Sequence, residues 1–324
     1  MKIYNIVLIL LLGTLSLKGN EIPTDPCSKL NSKGFLLYDF CDTCGCSGNG
    51  GSMGFGTGLN NNFFGLRYIG QRYLSRDGIF ANSPWIDENF NTVQLWTQVP
   101  IGQRFMINAV LPYQFHTRTF ADGMEQNING LGDATVLGFY QVLQQNPDSI
   151  VSIKPEHTLQ LGGGIKMPTG KFDSENLEGS VNPSFQLGTG SWDYLLAANY
   201  GLKHRNWGLS FMVNYTFKSE NDKEYRFGNQ LNYTLNTFKT YYFGTDFALT
   251  PQVGIGGEHF GKNEEFGLEV NDTGGYAFFG KAGVELNYKT LALGVSSMLP
   301  LAQDLNNGKV EAKNRWAIYV NINI

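Results

Sequence analysis

The chain has 324 residues, of which 16% are charged and 14% aromatic, with 40 glycines and a formal net charge of −4. Soluble domains carry about 25% charged residues, and so mildly acidic a chain offers nucleic acid no basic surface. Beyond residue 20 no apolar run reaches the ~20 residues of a membrane-spanning helix, which excludes a helical membrane protein and leaves an all-β chain as the expectation.

Residues 1–20 read as an export signal. Lys2 supplies the positive start, Ile6 to Leu12 the apolar run, and Leu17-Lys18-Gly19 an imperfect cleavage site. Export places the remainder in an oxidising compartment. Residues 21–62 form a Cys- and Gly-rich periplasmic segment, expected to act as a plug or a linker. It holds all four cysteines, Cys27, Cys41, Cys44 and Cys46. Three chemistries fit them. One is a disulfide from Cys27 to the 41–46 group, because a Cys44–Cys46 bridge would be strained. Another is a soft-metal site, copper or zinc, on Cys41, Cys44 and Cys46. The third is a redox-active pair.

From Phe63 onward the period is two. Strands are expected at 63–73, 91–100, 103–114, 132–144, 156–167, 190–201, 207–217, 225–236, 245–258, 275–287, 290–299 and 314–323. Trp207, Leu209, Phe211, Val213, Tyr215 and Phe217 fall on one face of their strand, and Gly208, Ser210, Met212, Asn214 and Thr216 on the other. Tyr225, Phe227, Leu231 and Tyr233 are read in the same way as an outward row. Each segment is close to the ~9–11 residues that cross a bilayer at a tilt. Connections after odd strands tend to be long and those after even strands short or medium, the parity of an outer-membrane barrel with long external loops and short periplasmic turns. The predicted fold is therefore a transmembrane antiparallel β-barrel of about twelve strands over residues 63–324. It belongs in a Gram-negative outer membrane, with lipid around it and both termini periplasmic.

Three stretches resemble a known family. GLGDATVLGFYQ (130–141), LGGGIKMPTGKFD (161–173) and NPSFQLGTGSWDYLLAANYG (182–201) are similar to the outer-membrane barrels of the "MetA-pathway of phenol degradation" type. The most specific pieces are Pro-Thr-Gly at 168–170 and Gln-Leu-Gly-Thr-Gly-Ser-Trp-Asp at 186–193. The resemblance implies a barrel that passes a small compound, hydrophobic or aromatic, and it brings no catalytic residues. The chain departs from the usual barrel ending, since its last residue is Ile324 and not an aromatic. The glycines at 162–164 lie inside a strand and are read as bends in the wall, not as a nucleotide loop.

Alternation places Arg67, Gln98, Asn108, Gln160, Lys166, Asn199, Asn214, Arg226, Gln230, Gln252, Lys281, Glu285 and Arg315 on the lumen face. They either line a pore or fill the barrel, since eight strands are filled by side chains and 16–18 leave a channel. Their excess of basic groups favours neutral or anionic solutes. His116, His157, His204 and His259 are dispersed, and Ser184 and Ser191 have no histidine at a usable spacing, so no enzyme is expected. The expected function is passage of a small solute by diffusion through a polar lumen. The alternative is metal handling or binding of a periplasmic partner by the cysteine segment, with the barrel as anchor. A third reading gives the loops, through Pro84, Trp85 and Phe172, a role in contacting partners; the same residues fit loop packing equally well.

Overall fold

The computed structural model describes residues 62–76, 83–143, 155–177 and 182–324. Alternating side chains put the main chain into extended strands, and the strands resolve their unpaired edges by closing on themselves. The wall strands are β1 (Phe63–Ser75), β2 (Ile86–Ile101), β3 (Phe105–Thr119), β4 (Thr135–Leu143), β5 (Glu156–Lys166) and β6 (Asp193–His204). They continue as β7 (Trp207–Phe217), β8 (Gln230–Lys239), β9 (Phe247–Phe260), β10 (Gly275–Tyr288), β11 (Leu291–Leu305) and β12 (Val310–Asn323). Each pairs antiparallel with its neighbour in sequence, and β1 pairs with β12 from Phe63↔Asn323 to Ser75↔Val310. The result is a closed barrel of twelve strands.

Several strands outrun the bilayer. β2 has 16 residues and β3 has 15, so the wall rises beyond the membrane at the end that carries the long connections. On that end a hairpin strand at Glu125–Leu131 adds to β3. A small separate sheet joins Tyr225–Arg226, Glu264–Glu265 and Leu268–Glu269.

The outer face is apolar and exposed, with Leu66, Leu95, Leu111, Leu161, Leu196, Leu293 and Ile318 among the exposed residues. Aromatics mark its two rims. Phe105, Tyr140, Trp207 and Tyr288 lie at the turn end, and Trp192, Tyr194, Phe217 and Tyr276 toward the loop end. An apolar band between aromatic girdles is the surface a bilayer requires.

Wall glycines sit under rings on the adjacent strand. Gly208 pairs with Phe238 and Gly294 with Tyr319, and a Cβ at either glycine would overlap the ring. Gly162 follows the same rule, since its Cβ would fall 2.5 Å from the Phe139 ring. The Gly162–Gly164 run is thus a packing feature of the β4–β5 wall.

One expected strand is corrected. β8 starts at Gln230, not at 225, because the chain breaks at Gly228. There the backbone passes so close to Gly261 that a Cβ would collide with it. Tyr225 and Phe227, expected to face outward, are buried instead. Phe172, read either as a partner contact or as loop packing, stacks on Tyr225 at 5.6 Å and meets Phe227 edge-on at 6.0 Å. Trp85 likewise is covered by the Arg76 guanidinium at 4.0 Å.

Candidate functional site: the barrel interior and its inward loop

The inward residues of the wall divide into two sectors. The buried apolar cluster runs from Ala277, Phe279, Met298 and Tyr319 on β10–β12, through Phe63, Ile69, Phe90 and Trp96, to Met106, Leu137, Phe139 and Leu195. Among the described residues, no fully buried member of it comes from β7, β8 or β9. Those strands turn Ser210, Asn214, Thr216, Gln230, Asn232, Thr234, Asn236, Thr250 and Gln252 inward, all buried, with Met212, Phe238 and Ala248 as their buried apolar residues. Here Gln230 Nε2 donates to Asn232 Oδ1 at 2.8 Å and Asn232 Nδ2 to Asn214 Oδ1 at 2.9 Å. The ladder carries no charge.

The connection from β5 to β6, expected as an external loop, turns back into the barrel. Its entry and exit are pinned by one buried network. Lys166 Nζ lies 2.7 Å from Asp133 Oδ2 and 2.8 Å from Asp193 Oδ2, and it also donates to Thr189 Oγ1. Lys218 Nζ reaches Asp193 Oδ2 at 3.1 Å. Asp133 accepts the Gly170 amide at 2.9 Å and the Thr189 amide at 2.8 Å. Ser191 Oγ donates to Asp193 at 2.9 Å. Two cations share two carboxylates, so the desolvation of each charge is offset by its partners and by backbone donors. A Cβ on Gly170 would fall 2.6 Å from the Leu187 carbonyl oxygen, and one on Gly188 would fall 2.6 Å from the Gly170 carbonyl oxygen. The Pro-Thr-Gly and Gln-Leu-Gly-Thr-Gly stretches are therefore the two halves of one close crossing.

The tip of the loop lies on β2 and β3. Phe185 is buried, 6.1 Å from the Phe90 ring, with the Arg118 guanidinium 4.6 Å above it. Asn182 Nδ2 donates to Glu88. Gln186 closes the tip by donating to Asp173 O at 2.6 Å and accepting the Asp173 amide at 2.9 Å. The tip thus covers the β2–β3 side of the mouth.

Further charges pair across the interior. Arg315 holds Glu258 with two bonds of 2.6 and 2.8 Å and also donates to Tyr73 Oη. The Phe279 ring lies 4.2 Å from its guanidinium carbon. Tyr319 Oη donates to Glu285 at 2.5 Å, and Asn287 Nδ2 does so at 2.8 Å. Arg67 donates to Gln94 Oε1 at 2.6 and 3.0 Å and lies 4.5 Å from the Trp96 ring. Counting buried acidic and basic side chains among the described residues, Arg67, Arg118, Lys166, Lys218, Lys281 and Arg315 face Glu88, Asp133, Asp193, Glu258 and Glu285. The interior is close to electroneutral.

Of the residues read as inward from the sequence, Arg67, Gln98, Asn108, Gln160, Lys166, Asn199, Asn214, Gln230, Gln252, Lys281, Glu285 and Arg315 are all buried within the wall. Arg226 is elsewhere. It belongs to the small loop-end sheet, with Nε 3.0 Å from Glu264 Oε2, because the break at Gly228 takes it out of the β8 alternation. Sequence reasoning missed Glu88, Asp133, Asp193, Lys218 and Glu258. Asp133 and Asp193 lie inside the family-like stretches, and Glu258 continues the parity of Gln252, so a signal existed for three of them. Cys41, Cys44 and Cys46, the expected metal ligands, and Cys27 lie outside the described residues, as do the expected signal and periplasmic segments. Among the described residues no cluster of three or more His, Cys, Asp or Glu could hold a metal ion.

A family model described as the MetA-pathway of phenol degradation matches residues 85–295. Among solved structures, an outer membrane channel from Pseudomonas putida F1 is similar over 81% of this chain and 95% of its own, at 15% identity and a TM-score of 0.60. The β domain of the Bordetella autotransporter Brka is similar over 82% of this chain and 100% of its own, at 10% identity and a TM-score of 0.47. At such identities the likeness to the first is one of fold. No curated protein matches the sequence.

Proposed function

The chain belongs to the MetA-pathway of phenol degradation family of outer-membrane barrels, and from that premise we propose that it is a channel for small uncharged solutes. The observation that carries this reading is the state of the inward amides. Gln71, Gln98 and Asn108 are buried, yet neither polar atom of their side-chain amides has a hydrogen-bond partner among the described residues. One amide atom each of Gln160, Asn199, Asn214 and Gln252 is in the same position. A buried polar group left without a partner costs ~1–3 kcal/mol, so a barrel filled merely for stability has no use for such a row. In a passage, water or solute can satisfy these amides once the surrounding side chains move apart.

Near-electroneutrality supports uncharged cargo, since an ion entering would meet no compensating excess of charge. The family description makes small aromatic compounds the first solutes to test. The long connections at one end of the barrel support loops facing outward and termini facing the periplasm. The test is swelling of proteoliposomes in arabinose, larger sugars and charged osmolytes. Swelling in arabinose that falls with solute size and with charge is the expected result. No swelling in any small solute sinks the reading.

A further inference from the structure

The outer cations at the two ends of the barrel are held differently. At the loop end Arg72, Lys171, Arg226, Lys262, Lys309 and Lys313 each hold a carboxylate. At the turn end Arg104, Arg205, Lys239 and Lys289 hold none among the described residues. Rings take the place of carboxylates there. Lys239 Nζ lies 5.0 Å from the Trp207 ring and 5.0 Å from the Tyr241 ring. Lys289 Nζ lies 5.3 Å from the Tyr288 ring, and Arg104 Nη1 donates to Tyr140 Oη at 3.1 Å. A ring face attracts a cation but leaves its charge and its N–H donors unneutralised. The described acidic side chains at this end are Glu156, opposite Lys203 on the adjacent strand, and Asp246, which accepts from Thr245 at 3.1 Å.

The densest of these places lies across β6, β7 and β8. Arg205 is in the β6–β7 turn, Trp207 opens β7 opposite Lys239 at the end of β8, and Tyr241 follows just beyond. The Thr240 amide donates to Asn206 O at 2.8 Å, which fixes the two segments against each other. Trp207, Phe211 and Leu235 are exposed on the same outer face. The Lys239 ammonium therefore sits at the edge of the apolar wall, level with the girdle rings. A lysine serving only to keep this rim wet would extend past the rings into water. Lys239 is half-buried between them instead.

We infer that this rim binds the headgroup of an anionic phospholipid, with Lys239 and Arg205 meeting the phosphate and Trp207 and Tyr241 setting its depth. The acyl chains lie down the wall on Phe211 and Leu235. The paired cations of the loop end offer no such site, because their carboxylates already occupy them. A zwitterionic lipid brings a cation of its own into the same place and is the poorer fit. The orientation proposed above puts this rim in the periplasmic leaflet, and the site does not depend on what passes through the barrel.

The test uses the purified full chain in neutral detergent, offered dioleoyl phosphatidylglycerol and dioleoyl phosphatidylcholine together. Native mass spectrometry counts the lipids of each kind that stay bound. Phosphatidylglycerol is expected in excess. Lys239→Gln and Arg205→Asn are each expected to weaken its binding about fivefold, with phosphatidylcholine unchanged. Asparagine suits position 205 because it accepts the left-handed backbone there, φ 55°. Lys262→Gln at the loop end removes a cation that Glu269 already holds and leaves the preference as it is. A heat-dependent gel shift checks that each variant is a folded barrel. Equal binding of the two lipids overturns the site. So does a preference that survives both Lys239→Gln and Arg205→Asn, or one that falls equally with Lys262→Gln. Inorganic phosphate that displaces lipid beyond sodium chloride of equal ionic strength marks a free-phosphate site and overturns the lipid assignment as well.

Discussion

The Lys166 ammonium lies 2.7 Å from the Asp133 carboxylate, with both side chains buried, although 33 residues separate them in the chain. Asp133 lies two residues before β4 and Lys166 ends β5, so the pair closes the loop-end seam between these two strands. The same ammonium reaches Asp193 at the start of β6. One side chain therefore ties together both ends of the inward loop. Lys166→Met leaves two buried carboxylates with a single cation, and removing one partner of a buried pair costs ~3–5 kcal/mol. The expected outcome is a lower urea midpoint and faster proteolysis within 167–192, with the barrel still formed.

The glycine crossing gives a sharper test, because it involves no charge. Gly170→Ala pushes a methyl to within 2.6 Å of the Leu187 carbonyl oxygen and 2.8 Å of Gly188 Cα. Neither is a side chain that can swing away, and overpacking of this kind costs ~1–3 kcal/mol. Gly163→Ala is the control. Its added methyl finds the Leu195 carbonyl oxygen at 3.5 Å, an ordinary contact. Urea unfolding should separate the two variants clearly.

Phe185→Ala removes the ring that covers β2 and β3 between Phe90 and Arg118. The loop tip then loses its apolar anchor. Single-channel conductance is expected to rise and the size limit for neutral sugars to relax. Unchanged conductance would mean that the tip does not restrict flow.

Arg315 and Glu258 test whether the interior pairs are mutually dependent. Arg315→Met alone strands a buried carboxylate and is expected to cost ~3–5 kcal/mol. Glu258→Gln on the same background removes that charge, so the double variant should be more stable than Arg315→Met alone. A refolding titration in detergent measures both.

At the loop end, Lys309 Nζ donates to Asp272 at 2.6 Å and Asn307 Nδ2 does so at 3.2 Å. These bonds, Lys309 first, hold the Asp272 carboxyl below its ordinary value. A depressed acid stabilises the fold at pH above the unfolded value of ~3.9, and that contribution is lost as pH falls through the lower folded value. The Arg76 amide donates to Lys309 O at 3.1 Å. Its hydrogen-exchange protection should therefore hold near neutrality and fall only in strong acid, and Asp272→Asn should remove the acid step.

Much of the wall was legible, because a period of two admits one arrangement once one face must meet lipid. Trp207 to Phe217 needed no structure to be read, and neither did Arg315 opposite Trp316. The β8 start was misread because Tyr225 and Phe227 keep the strand parity across a glycine break, and parity alone cannot reveal a break. The inward loop was not legible at all. Its polar composition from Lys171 to Gly188 is that of a solvated loop. Its direction is set by partners far away in sequence, Glu88, Asp133 and Lys218. The two-sector interior was also hidden, since alternation tells inside from outside but not which strands face each other across the lumen.

The loop tip rests on β2 and β3, and the amide ladder runs down β7 and β8 on the polar side. Any passage is therefore off-centre, with rings concentrated on one flank beside the amides of Gln71, Gln98 and Asn108, and the uncharged amide ladder on the other. A molecule moving through it meets unlike walls on its two sides. Two isomers of equal volume and polarity, differing only in where the polar group sits on the ring, should then travel at different rates. Such a conduit sorts by the layout of a molecule and not only by its girth.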